Sequence, residues 1–246
     1  MDQDKRLHRK VPLQMRLSMR SQCPYISGQL EQRIAVDVSL DPKAHDALAR
    51  VGFRRVENWV YRPACPYCNA CTAWRVDTVA FMPSKSMARI LKINQSLSRV
   101  VTGLNVDEAH YDLFKAYIMG RHRNGQMAMM SRDDFINMII NSPIDTALVN
   151  YYDPDNRLVA TVLTDFQSDG LSAVYSFFDP ALSRRSLGTF IILDLLQMAK
   201  KMMLPWLYLG YYVEGSAKMA YKARYTPAEI FQNGSWRAFV SKRGKI

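Results

Sequence analysis

Thr146–Phe178, reading TALVNYYDPDNRLVATVLTDFQSDGLSAVYSFF, decides the fold. Val, Leu, Tyr and Phe crowd into Thr146–Tyr152, Leu158–Phe166 and Leu171–Phe178, and these residue types suit a pleated, half-buried surface. Asp153-Pro-Asp-Asn156 breaks the first pair, because Pro presets φ and the Asp and Asn side chains bond back to their own backbone. Asp169-Gly170 breaks the second pair and suits a tight hairpin. The stretch reads as three strands joined by short turns.

Downstream, Leu187, Ile191, Leu195, Met198 and Met202 recur on one helical face, and Pro205 lies beyond the end. Trp206–Val213 is the next strand. Strand, hairpin, strand, helix, strand is the order of an N-acetyltransferase core, so the chain reads as α+β, with a GNAT-like mixed sheet and helices at its C-terminal end. Upstream, Ser84 caps a helix that places Met87, Ile90, Leu91, Leu97 and Val101 on one face. A second helix is expected over 107–120, burying Leu113, Phe114, Tyr117 and Ile118, and Ser131-Arg-Asp-Asp134 resembles a capping box that opens a third. Residues 1–80 are shorter and more broken, with strand-like Arg33–Val38 and Trp59–Tyr61 around a short helix over Pro42–Val51. No Gly/Ser/Pro linker and no repeat interrupts the chain. Pattern alone divides it into a smaller cysteine-containing α/β region, 1–80, and a GNAT-like domain, 81–246.

The net charge is +11 over 246 residues, which favours polyanionic partners. Residues 1–20 hold six Lys/Arg against two acids, 81–101 hold four and no acid, and 214–246 hold seven against two. Single runs of this kind are usually solvated faces; three together point to nucleic acid or a phosphate-rich ligand. No apolar run is long enough to span a membrane and no secretory signal opens the sequence, so a cytoplasmic protein is expected.

Leu209–Tyr225, LGYYVEGSAKMAYKARY, sets Tyr211, Tyr212, Tyr221 and Tyr225 among Lys218, Lys222 and Arg224. Tyrosines stack and donate while the cations attract negative charge, so the mixture suits an anionic, partly planar ligand. A strand end with snorkelling lysines has the same composition. The binding reading expects a cationic, ring-lined hollow around Tyr212, Lys218 and Lys222.

Three of the four cysteines stand as Cys65-x-x-Cys68-x-x-Cys71, and the fourth is Cys23. Two-residue gaps bring three thiols to one point. An iron–sulfur cluster and a four-cysteine zinc ion both accept this donor set; reduced thiols lining a small core are the alternative.

Gly210-Tyr-Tyr212, Lys218-Met-Ala-Tyr-Lys222 and Tyr225 resemble the C-terminal signature of the aminoacyl-tRNA–protein transferases. Cys65–Cys71, Phe178-Asp-Pro-Ala-Leu182 and Ser186-Leu-Gly188 agree with it, and the similarity runs from about Cys23 to about Pro227. Arginyl-transferring relatives read Tyr-x-His-Ser-Cys-Pro-Lys-Met where this chain reads Tyr212-Val-Glu-Gly-Ser-Ala-Lys-Met219, so the resemblance is to the bacterial aspartate/glutamate leucyltransferase branch. It implies transfer of leucine from Leu-tRNA to the α-amine of proteins that begin with Asp or Glu, marking them for degradation. It also implies a GNAT-like fold and an iron–sulfur cluster on the N-terminal cysteines, although the first Cys-x-x-Cys of relatives reads Cys23-Pro-Tyr-Ile26 here.

Such chemistry needs little. The ester is already activated, and an α-amine with a pKa of about 8 is partly free near neutral pH. Alignment, an oxyanion donor and one base suffice, and no cofactor is required for the transfer. Glu214 is the candidate base, and Tyr211 and Tyr212 the candidates for stacking or oxyanion bonding. Arg75, Arg184, Arg185, Lys218, Tyr221, Lys222, Arg224 and Tyr225 are the candidates for holding tRNA or an acidic N-terminus. Three other readings stay open, and the first is an arginyl rather than a leucyl donor. A CoA-dependent acetyltransferase would use Arg185-Ser-Leu-Gly188-Thr-Phe190, where Phe190 is expected to crowd the phosphate turn. A non-enzymatic RNA-binding protein with a metal site would bind and transfer nothing.

Overall fold

The computed structural model describes residues 13–123 and 125–240. His8, and the basic residues of 1–12 and 241–246, lie outside them. The first elements are β1 (Met15–Leu17), β2 (Ser21–Gln22), β3 (Leu30–Glu31), β4 (Arg33–Asp37), α1 (Ala44–Arg50), β5 (Arg54–Val56), β6 (Trp59–Pro63) and β7 (Cys71–Asp77). Then come α2 (Lys85–Ile93), β8 (Ser98–Thr102), α3 (Glu108–Arg121), α4 (Arg132–Ile140), β9 (Thr146–Tyr152), β10 (Leu158–Gln167) and β11 (Gly170–Phe178). The chain continues through α5 (Leu187–Lys201), β12 (Trp206–Val213), β13 (Ala228–Gln232) and β14 (Ser235–Ala238), with a short 3-10 segment, Ala220–Arg224, after β12.

An eight-stranded sheet runs β14-β13-β7-β12-β11-β10-β9-β8, and a four-stranded sheet runs β1-β4-β6-β5. Turns at Asp153–Asn156 and at Ser168–Asp169, one residue before the expected Asp169–Gly170, make β9, β10 and β11 an antiparallel meander. Helix α5 then crosses back so that β12 pairs parallel with β11. Meander, crossover helix and parallel return form the GNAT-like core of an α+β protein.

Alternation along the strands divides the core into two layers. Val149, Tyr151 and Val162 face α2 and α5, and Leu148, Leu163 and Phe177 face α3 and α4. Ser84 caps α2 by accepting from Met87 N, and Ser131 with Asp134 closes the capping box of α4. Helix α2 stops earlier than its apolar spacing suggested. Asn94 turns its amide back onto Ile90 O (2.9 Å) and out to Arg185 O (2.8 Å), which ends the helix. Leu97 therefore follows the helix, and Val101 lies in β8 with 45% of its surface exposed. Met202 caps the end of α5 and is likewise on the surface.

Strand β7, from the first eighty residues, sits inside the long sheet between β12 and β13. The four-stranded sheet is tied to that sheet by Arg55 on β5 and Asp165 on β10. Gly52 makes the tight turn into β5 at φ 86°, and a Cβ there would stand 3.0 Å from the Phe231 ring, so both backbone and space demand glycine.

Candidate functional site

The parallel pairing of β11 and β12 covers only Gly170–Ser172 against Trp206–Tyr208. Beyond Tyr208 the register of β12 against β7 shifts, and Gly210 takes φ 72° at the irregularity. The two strands are no longer partners from there on, which opens the sheet between Ala173–Phe178 and Leu209–Val213. Helix α5 begins at the carboxyl end of β11, where a Cβ on Gly188 would lie 3.1 Å from the Phe178 ring. Ligands of open α/β sheets bind at such carboxyl ends, where strand order changes direction. Phe190 is buried against Tyr151, with ring centroids 5.3 Å apart, so the expected crowding of this turn is not found: helical geometry turns the ring into the core.

The segment after β12 folds across this opening and is pinned at two points. Lys222 is buried and donates through Nζ to Tyr211 O; Tyr225 is buried in the core cluster that holds Leu187 and Ile191 of α5. Burial lowers the Lys222 ammonium to about 7, and the Arg54 charge adds to the effect. Tyr221 remains partly exposed, and its hydroxyl is pushed up to about 12 by burial, then by Tyr225, Tyr117 and Tyr25. Tyr117 of α3 packs on Phe178 (4.9 Å between centroids), so aromatic rings gather at the mouth. Glu214, Lys218, Arg224 and Arg184 are exposed around it.

The expected hollow around Tyr212, Lys218 and Lys222 is not what forms. Tyr212 stacks between Trp74 (5.0 Å) and Phe239 (5.6 Å), Lys222 is turned inward, and Lys218 stands exposed. Tyr211 is 9% exposed, and its single O–H is shared between Gly52 O (2.9 Å) and Tyr61 O (2.8 Å), joining β12 to the four-stranded sheet. Arg75 lies between Trp206 (3.7 Å) and Trp236 (4.2 Å), and Nη2 meets Glu229 Oε2 at 2.6 Å, so its charge already has a carboxylate. Arg185 is half-buried, and its carbonyl anchors Asn94.

Cys23, Cys65, Cys68 and Cys71 line one cavity of about 40 Å³, together with Tyr25, Arg33, Tyr61 and Tyr211. Strands β6 and β7 deliver Cys65 and Cys71 from either side of the loop carrying Cys68. Burial, then the neighbouring thiols beginning with Cys23, pushes the Cys71 thiol up to about 11. Cys65 Sγ accepts from Gln32 N (3.4 Å). No group of three or more His, Cys, Asp and Glu side chains among the described residues is arranged to hold a metal ion as it stands. The donor set fits a four-cysteine metal or cluster in type and in convergence on one cavity, and the thiols would have to close upon it.

Sequence reading passed over Arg54. It is buried on the ring of Tyr208 (4.7 Å), its Nη1 donates to Phe53 O (2.7 Å), and Nε and Nη2 find no partner among the described residues. Burial holds its pKa below the usual guanidinium value. It also passed over Tyr25, Arg33 and Tyr61 beside the cysteines. The one signal was the alternation that puts Arg33 and Tyr61 on the same sheet, with the guanidinium 5.0 Å over the ring.

Residues 21–89 match the family model described as arginine-tRNA-protein transferase, N terminus, and residues 109–232 match its C-terminus counterpart. The chain is 44% identical over 224 residues to the aspartate/glutamate leucyltransferase of Paramagnetospirillum magneticum, covering 90% of this chain and 92% of the relative. It is 42% identical over 217 residues to the protein of the same name from Gluconacetobacter diazotrophicus, covering 87% of this chain and 83% of that one. Among solved structures, L-PGS from Bacillus licheniformis aligns with a TM-score of 0.47 and 11% identity, over 68% of this chain and 57% of that one. The chain belongs to the arginine-tRNA-protein transferase family.

Proposed function

We propose that this protein is an aminoacyl-tRNA–protein acyltransferase that moves leucine from Leu-tRNA onto the α-amine of proteins beginning with Asp or Glu. One observation carries the reading: relatives named aspartate/glutamate leucyltransferase match from the cysteine segment through the segment that closes over the β11–β12 opening. In this reading the aminoacylated tRNA end enters at the start of α5, beside Arg184 and Arg185. The acceptor amine attacks the ester carbonyl, a peptide bond forms, the ester C–O bond breaks and the terminal ribose hydroxyl leaves. Glu214 takes the amine proton, directly or through water. Lys218, Arg224 and Tyr221 face the acidic side chain and the terminal base. Tyr211, Tyr212, Lys222 and Tyr225 hold the walls and the covering segment in place.

The four thiols would hold a zinc ion or an iron–sulfur cluster, fastening the loop of Cys65–Cys71 to Cys23; the acyl transfer itself needs no redox step. The reaction belongs in the cytoplasm, where charged tRNA is abundant, and among the described residues no helix is long and apolar enough to cross a membrane. The test is transfer of radiolabelled leucine or arginine from its tRNA to peptides beginning with Asp or Ala. Leucine on the Asp peptide alone is expected. Labelling with neither donor refutes the reading, and arginine without leucine refutes the choice of donor.

A further inference from the structure

Lys85, Arg89 and Lys92 recur in α2 at i, i+4 and i+7, so they share one arc of the helix. Met87, Ile90 and Leu91 form the opposite face and pack into the core beside α5. All three cations are exposed, and among the described residues none of their side chains has an ion pair or hydrogen bond. Like charges four residues apart repel, so the fold itself gains nothing from this arrangement.

Contacts at both ends show that α2 and α5 run antiparallel. Asn94, just past α2, donates to Arg185 O (2.8 Å) before α5, while Lys200 Nζ, near the end of α5, donates to Val79 O (3.1 Å) before α2. Along the helix pair the exposed cations therefore follow in the order Arg184, Lys92, Arg89, Lys85, Lys200. That order spans about the length of α5, roughly 22 Å at 1.5 Å per residue. The acid of α5, Asp194, is already taken by Arg99 (2.8 Å) and by the Tyr151 hydroxyl (2.8 Å). The stripe is directional, and one end of it reaches the start of α5, where the opening between β11 and β12 lies.

We propose that this face of α2 docks the acceptor stem of the donor tRNA, its phosphates lying along Lys85, Arg89 and Lys92 and its aminoacylated end passing Arg184 into the opening. The proposal rests on the tRNA-dependent reading above. A linear row of cations fits a phosphate backbone, and each phosphate contact releases counterions, so binding must be salt-dependent.

The experiment uses the full chain carrying Lys85→Gln, Arg89→Gln and Lys92→Gln, with uncharged leucine tRNA as the probe at several salt concentrations between 50 and 200 mM. Affinity is expected to fall at least about tenfold, and the slope of log K against log salt to shrink by about 2–3, the amount for three lost phosphate contacts. In transfer assays KM for Leu-tRNA should rise with kcat nearly unchanged. The charge-keeping set Lys85→Arg, Arg89→Lys and Lys92→Arg should restore both. A control set on other exposed surfaces outside the three basic runs, Lys43→Gln, Arg62→Gln and Arg132→Gln, should leave the slope as in wild type. Wild-type slope in the α2 variant, or an equal loss in the control, overturns the proposal. Loss of binding to phosphatidylglycerol vesicles with tRNA binding intact would make this a lipid surface and overturn it too. A wild-type protein that transfers leucine while its α2 variant binds tRNA normally defeats the docking surface alone; a wild type that transfers nothing defeats the underlying activity.

Discussion

Arg55 grips Asp165 with a two-pronged, buried contact: Nε stands 2.9 Å from Oδ2 and Nη2 stands 2.7 Å from Oδ1, with side chains 1% and 0% exposed. Thr146 Oγ1 donates to the same carboxylate (2.9 Å), and His45 Nε2 lies 4.0 Å away. The pair joins β5 to β10 where the two sheets meet. Removing one partner strands a charge in the interior, which costs more than the pair itself contributes. Asp165→Asn should therefore lower the unfolding free energy by about 3–5 kcal/mol, read from urea midpoints. The double variant Arg55→Met, Asp165→Leu should recover most of that loss. A single-variant cost below about 1 kcal/mol, the range of exposed pairs, would mean that the contact is weak.

Lys222 gives the fold a defined pH dependence. Its ammonium falls from the usual 10.5 to about 7. Between those values the unfolded chain binds a proton that the folded one does not, so stability rises with pH across that window, by up to about 1.4 kcal/mol per pH unit. Below about pH 7 the burial cost is full and constant. Lys222→Met removes this slope and also loses the bond to Tyr211 O, a pH-independent loss. Wild type should gain steadily on the variant from pH 7.5 to pH 9.5 in denaturant titrations. A difference that stays flat with pH would show that the lysine keeps its ordinary basicity.

The exposed cations should separate from the sandwiched one. Lys218→Ala and Arg224→Ala are expected to raise KM for an Asp-initiated peptide severalfold with the thermal midpoint unchanged. Unchanged kinetics in both would return these residues to ordinary surface charge. Arg75→Ala should instead destabilise by about 1.5–3 kcal/mol, since a charged hydrogen bond to Glu229 and two indole contacts disappear. Its ratio of Asp to Ala acceptor use should stay as in wild type.

The cysteines are tested by composition. Protein purified without oxygen should carry stoichiometric zinc, or iron with sulfide, and Cys68→Ser should lose it. Metal-free wild type with full transfer activity would remove the idea.

Much of the C-terminal half was legible because its signals are local. Asp153–Asn156 and Asp169-Gly170 bracket β10, and Ser84, Ser131 and Asp134 mark helix starts by side-chain bonds within three residues. Strand β7 was not legible. Its Arg75 reads as a cation free to hold an acidic ligand, and only Glu229, 154 residues later, makes it a tolerable neighbour of buried Trp74. Strand β8 escaped for a similar reason: Leu97 and Val101 continue a helical spacing until Asn94 breaks it by bonding across to the Arg185 carbonyl.

For the candidate site, the covering segment was legible but the direction of its side chains was not. Leu209–Tyr225 does close over the opening, yet Tyr212 and Lys222 turn inward. Side-chain direction there depends on Gly210 and on the loss of pairing with β11, which composition does not encode. Arg54 was missed because an Arg-Arg pair in a short strand looks like surface until β12 lays Tyr208 against it.

The placement of β7 bears on how the chain is made. Arg75 pairs with Tyr208 on one side and Glu229 on the other, 133 and 154 residues downstream. At about 5–20 residues per second, a ribosome leaves both edges of this Trp-bearing strand bare for on the order of ten seconds. The nascent polypeptide is therefore most exposed to misassociation before its final segments emerge, and any C-terminal shortening that removes β13 restores that hazard permanently in the finished molecule.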